Sequence, residues 1–216
     1  DPDKLPVLLL YGFFSSRKSL TILERILTYR GYEVISFNLG GLLGVFFTKG
    51  IIETAHLIDQ KLQHFFELNK CNKVNIVAHS KGGLVAMWWL LKMNGHRHCK
   101  KIITMGAPFK GSYWMWLGLV TPLGFIFKDI WQMRPGSNFL KVLNSSKIPE
   151  GTRIYNLYSY ADKAVRGKNG VFRSTDTIEE RVAIELPNVK HYGFLYRREA
   201  SDNLLKILGS PYLKDH

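Results

Sequence analysis

Strand-length apolar runs alternate with amphipathic helical stretches from one end of the chain to the other, and this alternation narrows the fold more than any other feature. KLPVLLLY (4–11), YEVISFNL (32–39), VNIVA (74–78), Lys101–Met105, Arg153–Tyr158 and Arg181–Leu186 read as strands. Between them lie helical patterns. Ser15 or Ser16 caps one with Leu20, Leu23, Ile26 and Leu27 at helical spacing, and Gly31 stops it. Ile51–Asn69 carries Ile52, Ala55, Ile58, Leu62, Phe65 and Phe66 on one side. A third runs from Gly83 to Met93 and ends at Asn94–Gly95, a short one covers Ser137–Leu143, and Arg197–Leu208 closes the series. The central strands are apolar on both faces. The pattern therefore predicts an α/β fold, a mainly parallel sheet with helices on both faces. No repeat, low-complexity tract or linker breaks the 216 residues, so a single domain, 1–216, is expected.

In an open sheet of this kind, ligands bind beyond the carboxyl ends of the strands. The residues just after each strand are the functional candidates. They are Gly12–Phe13, then His79–Ser80–Lys81–Gly82, then Gly106–Ala107–Pro108, then Ser159–Tyr160–Ala161–Asp162, and then Pro187 with His191. Separate strand ends thus supply a serine, an aspartate, a histidine and a free backbone amide, the set that acyl transfer needs. A serine hydroxyl needs an adjacent base, a histidine can take and return its proton, and a carboxylate fixes the imidazole. In VNIVAHSKGG (74–83) the positions two before and two after Ser80 are small, Ala78 and Gly82, as a tight strand-to-helix turn requires. The order Ser80, Asp162, His191 is serine, acid, histidine.

Plainer roles compete at each position. Ser80 is also a favoured helix N-cap, Asp162 a turn former with Asp176 as rival acid, and His191 a loop histidine. His79 reads as a packing or hydrogen-bonding residue. His56 and His64 fall on a helix, His96 and His98 in a basic turn, and His216 at the terminus; none of these follows a strand end, as His191 does.

These motifs resemble those of small α/β-hydrolases of the bacterial lipase/esterase group. VNIVAHSKGG resembles the nucleophile elbow in its A-H-S-x-G variant, and LLLYGFFSS the first-strand segment. TMGAPFKGS resembles the Gly-(Ala/Thr)-Pro-x-x-Gly segment, and MRPGSNFLKVL a Pro-Gly-Ser-x-x-Leu segment. YSYADKAV and HYGFLYRREA resemble the acid and histidine loops. The resemblance spans residues 7 to 208. It implies Ser80 as nucleophile, Asp162 as acid, His191 as base, and the backbone amides of Phe13 and Lys81 as oxyanion hole. Two positions depart from the pattern. Tyr11 stands where histidine is usual, which bears on how the oxyanion loop is braced. Lys81 replaces an apolar residue, and its charge is expected to lower the serine's or histidine's pKa or to bind an anionic substrate group.

The stretch 111–136 reads as an irregular aromatic insert, a lid or acyl-pocket wall. Trp114, Trp116, Leu117, Phe125 and Trp131 are its candidate lining, with the apolar loop Leu42–Phe47 opposite, and Phe14 beyond the first strand is a further candidate substrate contact. The longest uncharged run, Gly111–Phe127, carries Gly118, Pro122 and Gly124 and falls short of the roughly 20 residues of a membrane span, so a soluble cover is expected. The opening DPDKLP has no apolar stretch of signal-peptide type.

The formal charge of +13 favours anionic partners, and an anionic membrane or lipid interface is one candidate. Nucleic acid is not expected, because the densest basic cluster, HRHCKK (96–101), has no interleaved aromatics. Cys71 and Cys99 each lie three residues before a strand residue, Val74 and Ile102. A disulfide, implying a periplasmic or secreted protein, and two free thiols, implying a cytoplasmic or membrane-associated one, both remain open. No metal-ligand spacing is present, and no cofactor is expected. The expected function is a serine hydrolase of carboxylic esters with apolar acyl chains, a lipase or carboxylesterase. Phospholipase and thioesterase use the same triad. The rival from another class is a non-catalytic lipid- or membrane-binding protein that keeps the fold.

Overall fold

The computed structural model describes residues 4–12, 17–37, 39, 50–112, 128–173 and 181–209. Six of the apolar runs form strands: β1 (Val7–Leu10), β2 (Val34–Ser36), β3 (Val74–His79), β4 (Cys99–Met105), β5 (Arg153–Tyr158) and β6 (Arg181–Glu185). All of them pair in parallel, in the order β2-β1-β3-β4-β5-β6. Leu8 and Leu9 point to opposite faces of β1, and both are fully buried, so both faces of the sheet are covered. Each such side chain contributes about 1.5–3 kcal/mol by leaving water.

The helices are α1 (Thr21–Tyr29), α2 (Ile51–Asn69), α3 (Lys81–Lys92), α4 (Lys128–Met133), α5 (Asn138–Asn144) and α6 (Arg198–Gly209). α2 packs against α3, where the Trp89 indole N–H donates to Asp59 at 2.7 Å. α3 is buried along most of its length because it lies between α2 and the sheet. Trp88 stacks on Phe139 of α5. α1 touches α6, and the C-terminal end of α6 is held from inside the sheet: the buried Lys101 ammonium donates to the carbonyls of Ile207 and Leu208 at 2.7 and 3.1 Å. Ser137 caps α5 by accepting from the Leu140 N–H.

The structure differs from the sequence reading in several places. α4 is helical within a stretch read as irregular, and residues 113–127 lie outside the described residues, as do Ser15, Ser16, Leu42–Phe47 and Asp176. β4 begins at Cys99, two residues earlier than expected. That shift bears on the cysteines. Val74 pairs with Cys99, and the register slips between Val74 and Ile76. Cys99 therefore stands level with Val74, not with Cys71. Cys71 lies three residues before that level, ahead of β3, so the two cysteines are not cross-strand partners. Both cysteines are free, Cys71 half-buried and Cys99 buried.

Candidate active site

The chain runs from β1 outward to β2 and then returns to place β3 on the other side of β1. The strand order thus reverses between β1 and β3, the kind of point at which open α/β sheets place their ligand crevice, beyond the carboxyl ends of the strands. Gly12 and Ser80 lie at that crevice.

Ser80 has φ 54° and ψ −126°. Lys70 and Asn94 also have positive φ, but their ψ of 29° and 19° is the ordinary left-handed region. The Ser80 conformation lies outside it and costs about 1–3 kcal/mol. Packing holds the turn in place. A Cβ on Gly82 would meet the carbonyls of Tyr11 and Leu10 at 2.8 and 2.9 Å, and one on Gly12 would meet the Ser80 Cβ at 2.6 Å. Only glycine lets the elbow sit against β1 so closely. Ser80 stands at the N-cap position of α3, yet its side chain makes no capping bond. Its Oγ lies 3.0 Å from His191 Nε2 instead.

His191 opens a 3₁₀ turn, His191–Leu195, and its Nδ1 lies 2.8 Å from Asp162 Oδ2. Asp162 is fully buried, and its Oδ1 accepts from the Ala164 and Val165 N–H groups at 2.8 and 2.9 Å. One oxygen is anchored and the other is presented to the imidazole. With the proton on Nδ1 donated to Asp162, the Nε2 lone pair faces the serine hydroxyl. Gly106, at φ 57°, makes room for this pair. A Cβ there would stand 3.0 Å from Asp162 Oδ2 and 3.3 Å from His191 Nδ1.

Beside the pair, buried His79 donates from Nε2 to the His191 carbonyl at 2.9 Å, and the two rings lie 4.7 Å apart. Burial pushes the His79 imidazole down to about 3, and the neighbouring His191 ring adds to this, so His79 is neutral. Its Nδ1 has no partner among the described residues.

The Lys81 side chain does not reach the crevice as the sequence reading expected. It is fully buried, and its ammonium pairs with Asp129, itself fully buried on α4. Burial lowers the Lys81 pKa. It also lifts the Asp129 carboxyl to about 6 against the pull of Lys81. The charge is therefore committed within the fold and is not offered to an anionic substrate. Tyr11, the other departure, is buried, and its hydroxyl accepts from the Leu39 N–H at 3.0 Å, bracing the chain beyond β2.

Of the remaining candidates, Phe13, Phe14, Trp114, Trp116, Leu117 and Phe125 lie outside the described residues. Trp131 lies on α4, 47% exposed, with the Arg134 guanidinium 5.1 Å from its ring centre. Asp129 was missed. Its available signal was a lone acid between Phe127 and Ile130, matched by a lone lysine where the elbow pattern has an apolar residue. Among the described residues, no three His, Cys, Asp or Glu side chains are grouped to hold a metal, and no helix is long and apolar enough to cross a membrane.

No family model matches the chain, and no curated protein matches it by sequence. Solved structures do resemble it. Bacillus licheniformis lipase BlEst2 in its mature form superimposes with a TM-score of 0.77 at 16% identity, over 96% of this chain and 93% of that one. The propeptide form gives 0.78 at 17% identity over 100% of this chain, which spans only 52% of that longer protein. Aspergillus fumigatus lipase B gives 0.78 at 15% identity, over 97% of this chain and 54% of that one. Naproxen esterase (carboxylesterase NP) from Bacillus subtilis gives 0.60 at 14% identity, over 97% and 85%. The parallel sheet, its strand order and these superpositions together establish that the chain has the α/β-hydrolase fold.

Proposed function

We propose that this protein is a serine hydrolase of carboxylic esters, a lipase or carboxylesterase. The observation that carries the reading is the continuous relay from Ser80 Oγ through His191 to Asp162, at 3.0 and 2.8 Å. In this reading Ser80 Oγ attacks the ester carbonyl carbon as His191 Nε2 takes its proton. The carbonyl oxygen becomes an oxyanion, which the amides of Phe13 and Lys81 stabilise. The C–O bond breaks, the alcohol leaves with the proton from His191, and an acyl-enzyme remains. Water, deprotonated by His191, releases the acid and restores Ser80. Asp162 holds the imidazole in one tautomer and stabilises its charged form. The lipases and the esterase among the solved neighbours support this chemistry, as does the strained Ser80 backbone. The apolar segment 113–127 is the proposed acyl-binding wall, on its composition.

An anionic lipid interface is the proposed setting. Lys110, Arg166, Lys168, Lys190 and Arg197 are exposed in the loops after β4, β5 and β6, near exposed Tyr160, Tyr192 and Tyr196. Cations interleaved with tyrosines suit anionic headgroups.

A fluorophosphonate probe tests the reading. Labelling of the wild type that disappears in Ser80→Ala is expected. A folded wild type that stays unlabelled with and without detergent would instead leave a lipid-binding protein with the hydrolase fold. Rates on p-nitrophenyl esters of increasing chain length then separate esterase from lipase.

A further inference from the structure

The most unusual feature near the elbow is a buried ion pair. Lys81 is the first residue of α3 and directly follows Ser80, and its ammonium meets Asp129 in the first turn of α4. Both side chains are 0% exposed. Stability does not account for the pair, since a well-packed apolar pair in the same space is commonly as stable or more so. A cation at a helix N-terminus also opposes the helix dipole. What an ion pair supplies and an apolar contact does not is a fixed direction between two particular atoms.

α4 is a firm point of attachment. Gln132 Oε1 accepts from the Ile51 N–H at the start of α2 at 2.9 Å, and Lys128 pairs with Glu53 at 3.0 Å. The carbonyl of Met133 accepts from the Ser112 N–H, and the Ser112 hydroxyl donates to the Ala164 carbonyl at 2.9 Å. Ala164 in turn donates to Asp162 Oδ1. α4 is thus tied on one side to Asp162 through Ser112 and Ala164, and on the other to the elbow through Lys81.

We propose that Lys81 and Asp129 are positioning residues for the reaction: their buried ion pair fixes the first turn of α3, and with it the Lys81 backbone amide, relative to Ser80 and the acid loop. The inference rests on the ester-hydrolase reading, in which that amide faces the oxyanion. Asp129 acts through Lys81 and touches no reacting atom.

The test is the double variant Lys81→Met with Asp129→Leu, which removes both charges and keeps the volume, so that no unpaired charge is left buried. Its unfolding midpoint is expected to match or exceed that of the wild type. Fluorophosphonate labelling at Ser80 should persist, while kcat falls about 10–100-fold with KM nearly unchanged. The amides of Gly83 and Leu84 should exchange hydrogen faster than in the wild type. Asp129→Asn alone should lose stability as well as kcat. A folded double variant with wild-type kcat and wild-type exchange would overturn the proposal and leave the pair as packing. An unlabelled wild type would defeat the hydrolase reading instead. The exchange measurement would still decide whether the pair holds the elbow.

Discussion

Gly106 and His79 flank the Asp162–His191 pair, one by leaving space and one by donating a hydrogen bond. Gly106→Ala adds a Cβ at φ 57° and 3.0 Å from Asp162 Oδ2, so the carboxylate must shift. The expected result is a kcat lower by about tenfold or more, with a stability loss of about 1–3 kcal/mol. Wild-type kcat in a folded Gly106→Ala protein would refute this. His79 is expected to contribute to the loss of stability in acid. Its pKa is about 3 in the folded protein and 6.5 ordinarily, so between those values the unfolded chain takes up a proton that the folded chain refuses. Stability is therefore complete above pH 6.5 and falls as the pH drops toward 3, by at most about 5 kcal/mol. Unfolding midpoints in urea across this range should slope less in His79→Phe than in the wild type. The grouping of Ser80, Asp162 and His191 was legible in the sequence because each follows a strand in a short local pattern. The Lys81–Asp129 pair was not, because its partners are 48 residues apart and neither sits in a motif that names the other.

At the level of elements, α3 lies against the sheet because of Gly83. A Cβ there would meet the Ala107 Cβ at 2.5 Å, so Gly83→Ala pushes α3 away from the end of β4. Overpacking of this kind costs about 1–3 kcal/mol. Adding Ala107→Gly should recover most of the loss, and a double-mutant cycle by thermal unfolding measures the coupling. Purely additive losses would show that the two sites do not share the clash. The bounds of α2 and β5 were readable to the residue. α2 has a clean apolar stripe, and β5 is an apolar run between polar turns. β1 is shorter than its apolar run because the run begins at Lys4 and contains Pro6. Proline has no N–H for the ladder, although the Pro6 carbonyl still accepts from the Asn75 N–H. α4 escaped because helical spacing was obscured by the aromatic residues around it.

For the molecule as a whole, the net charge of +13 predicts binding to anionic vesicles that weakens steeply as salt rises from low to physiological levels. Sedimentation with phosphatidylserine-containing vesicles, compared with phosphatidylcholine alone, checks this, and equal binding to both would exclude an electrostatic contribution. The fold was legible at this scale because alternation is a property of the whole chain, whereas the cysteine geometry depended on a register slip that no local pattern reveals. The relay has a consequence in time as well as in space. Ser80 and His191 are separated by 111 residues, and the imidazole follows β6, at the edge of the sheet. A chain growing from its amino end builds the strained serine turn long before it owns a base to activate it. On the ester-hydrolase proposal, the unfinished protein is chemically silent, and hydrolysis begins only after His191 has been added beyond β6.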